Sequence, residues 1–440
     1  MRIAILTVGT QGDVRPFVAL GRGLRQAGHD VRIAASPGFD PLVTGQGLDF
    51  APLSGDFRAL MARVQSHMER GTNPLLAVRI MRSALAEMAE SWAAEGRAAC
   101  QDADLIIASG LADLLGVSLA EALGKRFALA YLQPILPSRE IPPVTLPPRA
   151  APLPGTINLL LHHICRVVQW QVLKPAFNRH VRPGLGLPQY PWYGPRYPVG
   201  QRDHPIIYGY SRHVVAQPAG WPEYARIAGY WFLDEAETWR PSHELLAFLD
   251  AGPPPIYVGF GSMRTRDPQA ATRQILEAIR LSGLRAVLAL GWDGLAESPS
   301  GWGDHVCVIR EAPHGWLFRH VALAVHHGGA GTTAAAVRAG IPSVVVPFLA
   351  DQPFWAWQLE RLGVAPPRLS HKSLSAQQLA EAITAATGAG MRRQAERLSG
   401  LVGNENGVRG AVATLAEWGL LSPSSIKDAE SPAKCHQPDG

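Results

Sequence analysis

A glycine-rich segment in the C-terminal half of the chain limits the possible folds most strongly. Residues 326–333 read HHGGAGTT, after an apolar run from Val321 to Val325 and before an Ala/Thr-rich run that stops at Gly340. This order predicts a buried strand, a tight turn and the N-terminus of a helix. Such an N-terminus presents unpaired backbone N–H groups and the positive end of the helix dipole. The small residues let a ligand approach the backbone, so we expect an anion there, most simply a phosphate group.

Strand-like and helix-like segments alternate through most of the chain, whose 440 residues suffice for two domains. The N-terminal half has strand-like segments at Ile3–Val8, Asp30–Ala35, Leu105–Ser109 and Phe127–Tyr131, with a helix at Arg15–Ala27. A second series runs through Pro255–Ser262, Ala286–Leu290 and Val306–Ile309. Alternation of this kind predicts an α/β protein with parallel sheets covered on both faces. We predict an N-terminal domain at 1–220, a C-terminal domain at 221–421, with the crossover from Trp221 to Pro241, and a disordered tail at 422–440.

A proline-rich stretch and an apolar helix interrupt the first series. Residues 134–154 contain eight prolines, which exclude regular helix and predict a long excursion over the surface. The apolar-aromatic segment Ile157–Phe177 is predicted to be a helix. An insertion at the C-terminal edge of a parallel sheet lies where such sheets bind ligands.

Composition excludes several classes of protein. The four cysteines are scattered without a CxxC pair, so neither a disulfide framework nor a zinc site is indicated. The N-terminus lacks the pattern of a signal peptide, and no apolar run approaches the length of a membrane span, so we expect a soluble, cytoplasmic protein. A net charge of +5 without a dense basic run argues against nucleic acid as a partner. Arginine-rich patches leave peripheral contact with an anionic membrane surface open.

The segment at 326–333, followed by Val346-Pro347 and Asp351-Gln352, resembles the donor-binding signature of family 1 GT-B glycosyltransferases, which use nucleotide sugars. Within that family, the sequence of this motif most resembles the sterol and antibiotic glycosyltransferases, and the resemblance extends over about residues 1–420. It implies two Rossmann-like domains facing across a cleft. It further implies an inverting transfer of a hexose from a UDP- or TDP-sugar to a lipophilic alcohol, such as a sterol, terpenoid, polyketide or glycolipid. No metal and no other cofactor is implied.

The resemblance also assigns donor contacts. It places His326 on the pyrophosphate, Ser262 on the diphosphate, and Asp351 with Gln352 on the sugar hydroxyls. The base-reading loop is 310–314, and Glu311 stands where plant members have a tryptophan that stacks on uracil, which leaves thymidine nucleotides open. The predicted donor set is Gly12, Ser262, Ala312, His314, His326, Gly328, Gly329, Ala330, Gly331, Thr332, Asp351 and Gln352.

Several of these residues admit other interpretations. Ser262 also fits a simple turn serine, and Asp351-Gln352 also fits the ordinary polarity of a surface loop. His326 and His327 also fit ordinary strand-end histidines or a metal site, but neighbouring strand residues point to opposite faces, which disfavours a shared metal. Asp102-Ala103-Asp104 spells the DxD of metal-dependent glycosyltransferases of another fold. It directly precedes a strand, where polar loop residues are ordinary, so no divalent ion is expected.

The acceptor hydroxyl needs a general base. Asp13 lies in a glycine-containing turn, GTQGDVRP at 9–16, and matches the aspartate that the resembled bacterial members use as the base. The alternative is that Asp13 caps the following helix, where the dipole makes a carboxylate a weaker base. Asp113 is a second candidate, as base or helper.

Two rival functions remain open at this point. One is an epimerase or hydrolase of the same architecture that acts on the sugar nucleotide itself. The other is a non-catalytic relative that assists a partner enzyme. The first needs no apolar acceptor pocket, and the second needs no intact donor residues.

Overall fold

In the computed structural model the chain forms two parallel β-sheets with helices on both faces. The structure describes residues 1–69, 74–148, 153–196, 199–233, 239–261, 267–290 and 303–422. Strands that are buried on both faces need continuous apolar runs, and six of the seven residues of the first strand, Arg2–Val8, are buried. The predicted α/β class with two Rossmann-like sheets is confirmed.

The first sheet has seven parallel strands, and the described residues of its domain form eight α-helices. Its strands are β1 (Arg2–Val8), β2 (Asp30–Ala35), β3 (Asp49–Pro52), β4 (Leu105–Gly110), β5 (Arg126–Tyr131), β6 (Ile206–Tyr208) and β7 (Ala225–Ile227). The helices are α1 (Gln11–Gln26), α2 (Asp40–Thr44), α3 (Phe57–Glu69), α4 (Pro74–Met88), α5 (Trp92–Cys100), α6 (Asp113–Leu123), α7 (Gly155–Ala176) and α8 (Arg182–Gly184). The strand order is β3-β2-β1-β4-β5-β6-β7.

The second sheet has five parallel strands. They are β8 (Ile256–Gly259), β9 (Ala286–Ala289), β10 (Val306–Ile309), β11 (Ala324–His326) and β12 (Ser343–Val345), in the order β10-β9-β8-β11-β12. The helices are α9 (His243–Asp250), α10 (Pro268–Ser282), α11 (His314–Leu317), α12 (Ala330–Ala339), α13 (Gln352–Arg361), α14 (Ala376–Ala386), α15 (Ala389–Gly403) and α16 (Gly407–Glu417).

The strand orders place ligand sites without reference to any side chain. In each sheet, successive strands are first added on one side of the first strand and then on its other side. The strand order therefore reverses between β1 and β4 and between β8 and β11. Parallel α/β sheets bind ligands in the crevice beyond the carboxyl ends of the strands at such a switch point. The loops after β1, β4, β8 and β11 are therefore the expected ligand-binding loops.

The last helix returns to the first sheet. In α16, Val408 and Val412 pack against α1 where Gly23 leaves room for them, and Ala411 and Leu415 are buried in the core beneath α1. The start of α16 also lies close to the backbone of Gly229 and Tyr230, because Gly407, its first residue, has no Cβ. A Cβ there would lie 2.3 Å from the carbonyl oxygen of Tyr230. The chain thus crosses between the two sheets twice, once outward near Tyr230 and once on its return to α16.

The proline-rich stretch is not the surface excursion that its composition predicts. Its described residues, 134–148 and 153–154, lack helix and strand as expected, but Leu136, Ile141 and Val144 are buried in the core. Prolines have no N–H to satisfy, and side chains of the domain satisfy other backbone groups of the loop. The Nε2 of His162 donates to the carbonyl of Ile141 at 2.9 Å, and the Nδ2 of Asn158 donates to that of Arg139 at 3.0 Å.

Three boundary features complete the fold. β7 extends the first sheet past residue 220, into the stretch predicted as crossover, and the domain boundary itself stays a prediction. The predicted disordered tail falls, from residue 423 on, outside the described residues. Among the helices that the structure describes, none has both the length and the apolar character required to traverse a lipid bilayer.

Candidate active site

One large cleft lies beyond the carboxyl ends of both sets of strands. It measures about 3080 Å³, and the loops after β1 and β4 face those after β8, β10, β11 and β12 across it. Most of the predicted site residues line it, including Asp13, Asp113, His314 and Asp351. The fold therefore brings together residues that are more than 300 positions apart in the sequence.

Asp13 both caps helix α1 and faces the cleft. It is the third residue of the helix, and its Oδ2 accepts hydrogen bonds from the backbone N–H of Thr10 at 2.7 Å and the hydroxyl of Thr10 at 3.0 Å. Within the described residues, Oδ1 has no hydrogen-bond partner. Burial raises the pKa of Asp13 above its ordinary value, although the two bonds from Thr10 lower it. One oxygen can thus serve as cap while the other is available to accept a proton.

Asp113 begins helix α6, after β4, on the same side of the cleft. The hydroxyl of Tyr131, at the end of β5, donates a hydrogen bond to Oδ2, and the backbone N–H of Leu114 donates to Oδ1. Burial raises the pKa of Asp113 to about 6 despite both bonds. Since both oxygens already accept hydrogen bonds, Asp113 is less available than Asp13 to take a proton from a bound alcohol.

The two adjacent histidines occupy different environments. His326 ends β11, between Gly259 of β8 and Val345 of β12, and it is completely buried outside the cleft lining. Its Nδ1 accepts a hydrogen bond from the N–H of Gly328 at 3.0 Å, so it shapes the turn. His327, one residue further, lines the cleft.

His327 sits between two glycine turns. A Cβ on Gly329 would lie 2.5 Å from its Nε2, and one on Gly261 would lie 3.4 Å from its Cε1. Burial lowers the pKa of His327 to about 4, so the imidazole is neutral at neutral pH. His327 borders the cleft, and among the described residues the buried Nε2 of His326 has no hydrogen-bond partner. The predicted contact of His326 with the pyrophosphate therefore stays a prediction.

The N-terminus of α12 opens directly into the cleft. Gly329 is its N-cap, and Gly329, Ala330, Gly331 and Thr332 all line the cleft. A Cβ on Gly331 would meet nothing within 4 Å, so there is open space in front of the first helical turn. Gly328 itself is buried in the turn at φ +85°, a conformation that favours glycine. The backbone at this helix N-terminus is therefore accessible from the cleft, as the predicted anion site requires.

Asp351 faces the cleft from the loop after β12. The Nε1 of Trp355, one helical turn further along α13, donates a hydrogen bond to its Oδ2 at 2.8 Å. Burial raises the pKa of Asp351 to about 6, the bond from Trp355 lowers it, and the negative charge of Asp13 raises it further. The two carboxylates come from opposite domains, yet they belong to one electrostatic site. The preceding residue, Ala350, has φ +58°, which costs about 1 kcal/mol for a residue with a side chain.

The side chain of Gln352 forms hydrogen bonds with the backbone of its own loop. Its Oε1 accepts hydrogen bonds from the backbone N–H groups of Phe348 at 2.8 Å and Leu349 at 3.2 Å, and the residue is 5% exposed. It still borders the cleft. The side chain therefore holds the loop in which Asp351 stands, and its predicted contact with the sugar stays a prediction.

The predicted base-reading loop lines the other end of the donor side. Ala312 and His314 border the cleft there, and so does Trp316, which the sequence analysis did not single out. The Nε2 of His314 lies 3.2 Å from the hydroxyl of Tyr257, and burial lowers the pKa of His314 to about 4. Gly12 lines the cleft from the first turn of α1. Ser262 lies outside the described residues, so its predicted contact with the diphosphate stays a prediction.

The N-terminal side of the cleft is largely apolar. Its walls come from α3, α4, α7 and the proline-rich stretch, with Met61, Met81, Ile135, Leu173 and Trp170 among the lining residues. The sequence predicted that α7 and the proline-rich stretch lie at the ligand-binding edge of the sheet, but it gave no such indication for α3 and α4. Those two helices have mixed composition, and only the fold shows that one face of each looks into the cleft.

The DxD motif lies away from this cleft. Asp102 pairs with Arg32, Oδ1 to Nη1 at 2.8 Å, and this bond lowers its pKa. Asp104 accepts the backbone N–H of Arg2 at 2.9 Å. Both lie at the amino ends of β1 and β4, the edge opposite the ligand-binding loops. In the described part of the chain, no group of three or more His, Cys, Asp or Glu side chains is placed to hold a metal ion.

Two family models match the chain. Residues 3–136 match the glycosyltransferase family 28 N-terminal domain. Residues 296–404 match the C-terminal domain of the erythromycin biosynthesis protein CIII-like family. The matches cover strands β1 to β5 of the first sheet and the part of the second domain from β10 to α15.

The known proteins with similar sequences or similar folds are named as glycosyltransferases. The sterol 3-beta-glucosyltransferase of Aspergillus oryzae is 34% identical over 426 residues, which cover 94% of this chain and 30% of the relative. The chain thus spans about 30% of the length of that curated relative. The glycosyltransferase of kitacinnamycin superposes with a TM-score of 0.62 at 17% identity, covering 95% of this chain and 98% of that one. SsfS6 of Streptomyces sp. SF2575, complexed with thymidine diphosphate, gives 0.57 at 21% identity, with 95% and 99% covered.

Proposed function

Because the chain belongs to the GT-B glycosyltransferases, we propose that it transfers a hexose from a nucleoside diphosphate sugar to a hydroxyl of a lipophilic acceptor, with inversion at the anomeric carbon. The observation that carries this proposal is the cleft itself. A helix N-terminus suited to a diphosphate and two carboxylates of raised pKa share it with an apolar wall. The name of a relative, sterol 3-beta-glucosyltransferase, supports the acceptor class.

The donor is proposed to bind to the second domain. Its diphosphate would accept hydrogen bonds from the backbone N–H groups of the first turn of α12 and from the neutral imidazole of His327. These donors are fixed before the reaction, so they stabilise the charge that develops on the leaving diphosphate without reorganising. Asp351 would accept hydrogen bonds from the hydroxyls of the sugar ring. Uridine and thymidine diphosphates are both candidates, and a solved structure of similar fold holds thymidine diphosphate.

Asp13 is proposed to be the general base. Its Oδ1 would take the proton of the acceptor hydroxyl while that oxygen forms a bond to the anomeric carbon and the bond from this carbon to the diphosphate oxygen breaks. Attack from the face opposite the leaving group inverts the configuration. Burial supports this role because it raises the pKa of Asp13, which strengthens the carboxylate as a base. Asp113 is proposed as a helper through its position on the same cleft wall.

The acceptor is proposed to bind between α3, α4, α7 and the proline-rich stretch. The apolar lining suits a fused-ring or long-chain alcohol, whose burial is driven by the hydrophobic effect. A cleft of about 3080 Å³ has room for both substrates at once. Function with no bound metal is part of the proposal, as is a cytoplasmic location.

The test is product analysis by mass spectrometry. The protein is incubated with UDP- and TDP-hexoses and a panel of sterols, terpenoid alcohols and macrolides, with and without EDTA. The expected result is a hexose mass added to at least one acceptor, unchanged by EDTA. Release of nucleotide without acceptor modification would point to an enzyme of the sugar nucleotide instead, and the absence of any turnover or nucleotide binding would refute the proposal.

A further inference from the structure

A residue of the second domain holds one end of the proline-rich stretch. We call residues 134–148 the acceptor loop, since they form part of the proposed acceptor wall. The Nη2 of Arg368, which follows α13, donates a hydrogen bond to the carbonyl of Pro148 at 2.9 Å, although 220 positions separate the two residues. Pro148 is buried, and neither residue lines the cleft. An effect of Arg368 on a bound substrate is therefore transmitted through the loop.

A carboxylate of α13 orients this arginine. Both oxygens of Glu360 accept hydrogen bonds from the Nη1 of Arg368, at 3.0 and 3.2 Å, and Oε1 also accepts its backbone N–H at 2.6 Å. The side chains are 27% and 22% exposed, so water and salt screen the pair less than at an open surface. A guanidinium group is planar and binds acceptors in fixed directions. Its Nη1 binds the carboxylate here, and its Nη2 is thereby directed at the loop.

The acceptor loop is stiff enough to transmit this contact. Six of its fifteen residues are prolines, whose rings fix φ. The carbonyl of Pro148 lies only three residues from Thr145, which lines the cleft together with Val144. The N–H of Leu146 closes a turn on the carbonyl of Pro143 at 3.1 Å. A displacement of the Pro148 carbonyl therefore shifts residues of the cleft lining.

The first domain holds the loop near its other end. The backbone N–H of Leu136 donates a hydrogen bond to the hydroxyl of Tyr208, the last residue of β6, at 3.3 Å. Tyr210 is as completely buried as Tyr208, but among the described residues its hydroxyl has no hydrogen-bond partner. The acceptor loop is thus fastened by one residue of each domain, with cleft-lining residues between the two points.

Helix α13 connects the second fastening with the donor side of the cleft. Its N-cap is Asp351, the proposed contact of the donor sugar, and Glu360 lies nine positions later, about 14 Å along the helix. Trp355 of the same helix donates to Asp351, and its ring meets the ring of Tyr210 edge-on, with 6.2 Å between the centroids. One helix therefore carries both the carboxylate for the donor and the carboxylate that orients Arg368.

We propose that Arg368, oriented by Glu360, is a positioning residue for the acceptor. Through Pro148 it holds the acceptor loop against the donor domain, so that both domains complete the acceptor site. This inference rests on the proposed function, because it requires that the acceptor binds beside this loop. A purely structural role would lower stability without a selective effect on one substrate. A positioning role changes the KM of the acceptor and leaves the donor and kcat unaffected.

The experiment compares the kinetics of Arg368→Ala with those of the wild type, with the acceptor found by product analysis. The KM of the acceptor is expected to rise about tenfold, which corresponds to one hydrogen bond from a charged group. Both kcat and the affinity for UDP or TDP in calorimetry are expected to stay within about twofold of wild type. The matched control is Arg361→Ala, at the end of α13, since Arg361 pairs with Gln358 and lies over the ring of Trp357 on the same helix. Its acceptor KM is expected to equal that of the wild type.

The two buried tyrosines provide a second comparison, with the same substitution at both positions. Tyr208→Phe removes the hydroxyl that holds the N–H of Leu136, so the KM of the acceptor is expected to rise. Tyr210→Phe removes a hydroxyl without a described partner, so this KM is expected to stay unchanged. Equal effects of the two substitutions would show that the fastening of the loop does not act on the acceptor.

Hydrogen exchange followed by mass spectrometry measures the fastening without turnover. Arg368→Ala is expected to speed exchange of the Leu146 amide at least about fivefold over the wild type and Arg361→Ala, because the turn loses its support. Unchanged exchange would show that Arg368 does not hold the loop. Faster exchange in a protein without any transferase activity would refute the proposed function, and with it the acceptor role, but would confirm the fastening.

Two kinetic outcomes overturn the positioning role while the proposed function stands. One is an active Arg368→Ala variant with the acceptor KM of the wild type, and the other is an equal rise of this KM in Arg361→Ala. A thermal melt checks folding. If Arg368→Ala does not fold, Arg368→Lys replaces it with the same expected direction, because lysine keeps the charge beside Glu360 but lacks the fork that binds both partners.

Discussion

Replacing Asp13 by asparagine separates the two tasks that the structure gives this side chain. The asparagine carbonyl can still accept the N–H of Thr10, now at 2.7 Å from Asp13 Oδ2, so the helix cap survives. The other position, which faces the cleft, becomes an amide that cannot take a proton. Loss of a general base lowers turnover by about 10² to 10⁴, equivalent to about 2.7 to 5.4 kcal/mol in the activation free energy.

The same structure predicts little effect on stability. Burial raises the pKa of Asp13, which means that burying the ionised carboxylate costs some stability relative to the unfolded chain. A neutral isostere removes that desolvation cost while it weakens the bond from Thr10, and the two changes offset each other to within about 1 kcal/mol. Asp13→Asn should therefore melt close to the wild type and bind UDP or TDP with wild-type affinity by calorimetry.

The assay is the initial rate of product formation at saturating donor and acceptor. Asp113→Asn is the control on the same wall of the cleft, and it should lower turnover less because both oxygens of Asp113 already accept hydrogen bonds. Turnover of Asp13→Asn within about threefold of wild type would refute the assignment. If Asp113→Asn were inactive at the same time, the base would be Asp113.

Three further predictions follow from the donor side and the domain crossing. His327→Ala should weaken binding of the nucleoside diphosphate by about tenfold in calorimetry. His326→Ala empties a buried position and should instead lower the free energy of unfolding by about 1 to 3 kcal/mol in a denaturant titration. Equal effects of both variants on nucleotide binding would contradict the cleft geometry. Trp355→Phe removes the N–H that lowers the pKa of Asp351, so this pKa should rise above about 6. The KM for the donor sugar should then increase near pH 6 to 7 and recover at higher pH, where the carboxylate is ionised. A KM profile that does not shift with pH would show that the ionised carboxylate is not needed for donor binding. Gly407→Ala places a Cβ 2.3 Å from a carbonyl oxygen and should cost about 1 to 3 kcal/mol of stability, and an unchanged denaturation midpoint would mean that the close contact is not preserved in solution.

Local patterns carried most of what the sequence could predict. Continuous apolar runs marked the long strands, and the glycine turn before α12 marked the helix terminus, because both depend on residues that are neighbours in the chain. Asp13 could be placed at a helix start for the same reason. The bond from Trp355 to Asp351 was also within reach, since residues four apart on a helix are neighbours.

Other features depended on contacts between distant segments. That His327 borders the cleft while His326 is buried depends on where β11 ends, and the ends of strands are located only to within a few residues from sequence alone. The proline-rich stretch was expected on the surface, and only Asn158 and His162 of a later helix show how its carbonyls are satisfied inside. β7 is three residues long, too short to give a periodic signal.

The return of α16 to the first sheet makes the two domains hard to part. The backbone passes outward near Tyr230 and comes back at Gly407, and after that α16 buries Ala411 and Leu415 beneath α1. If the backbone were cleaved once in the outgoing crossing, the two fragments would still be held together, because α16 of the C-terminal fragment packs against α1 of the N-terminal fragment. Separately expressed halves of the chain therefore have a built-in means of reassembly, provided that the C-terminal half keeps this last helix.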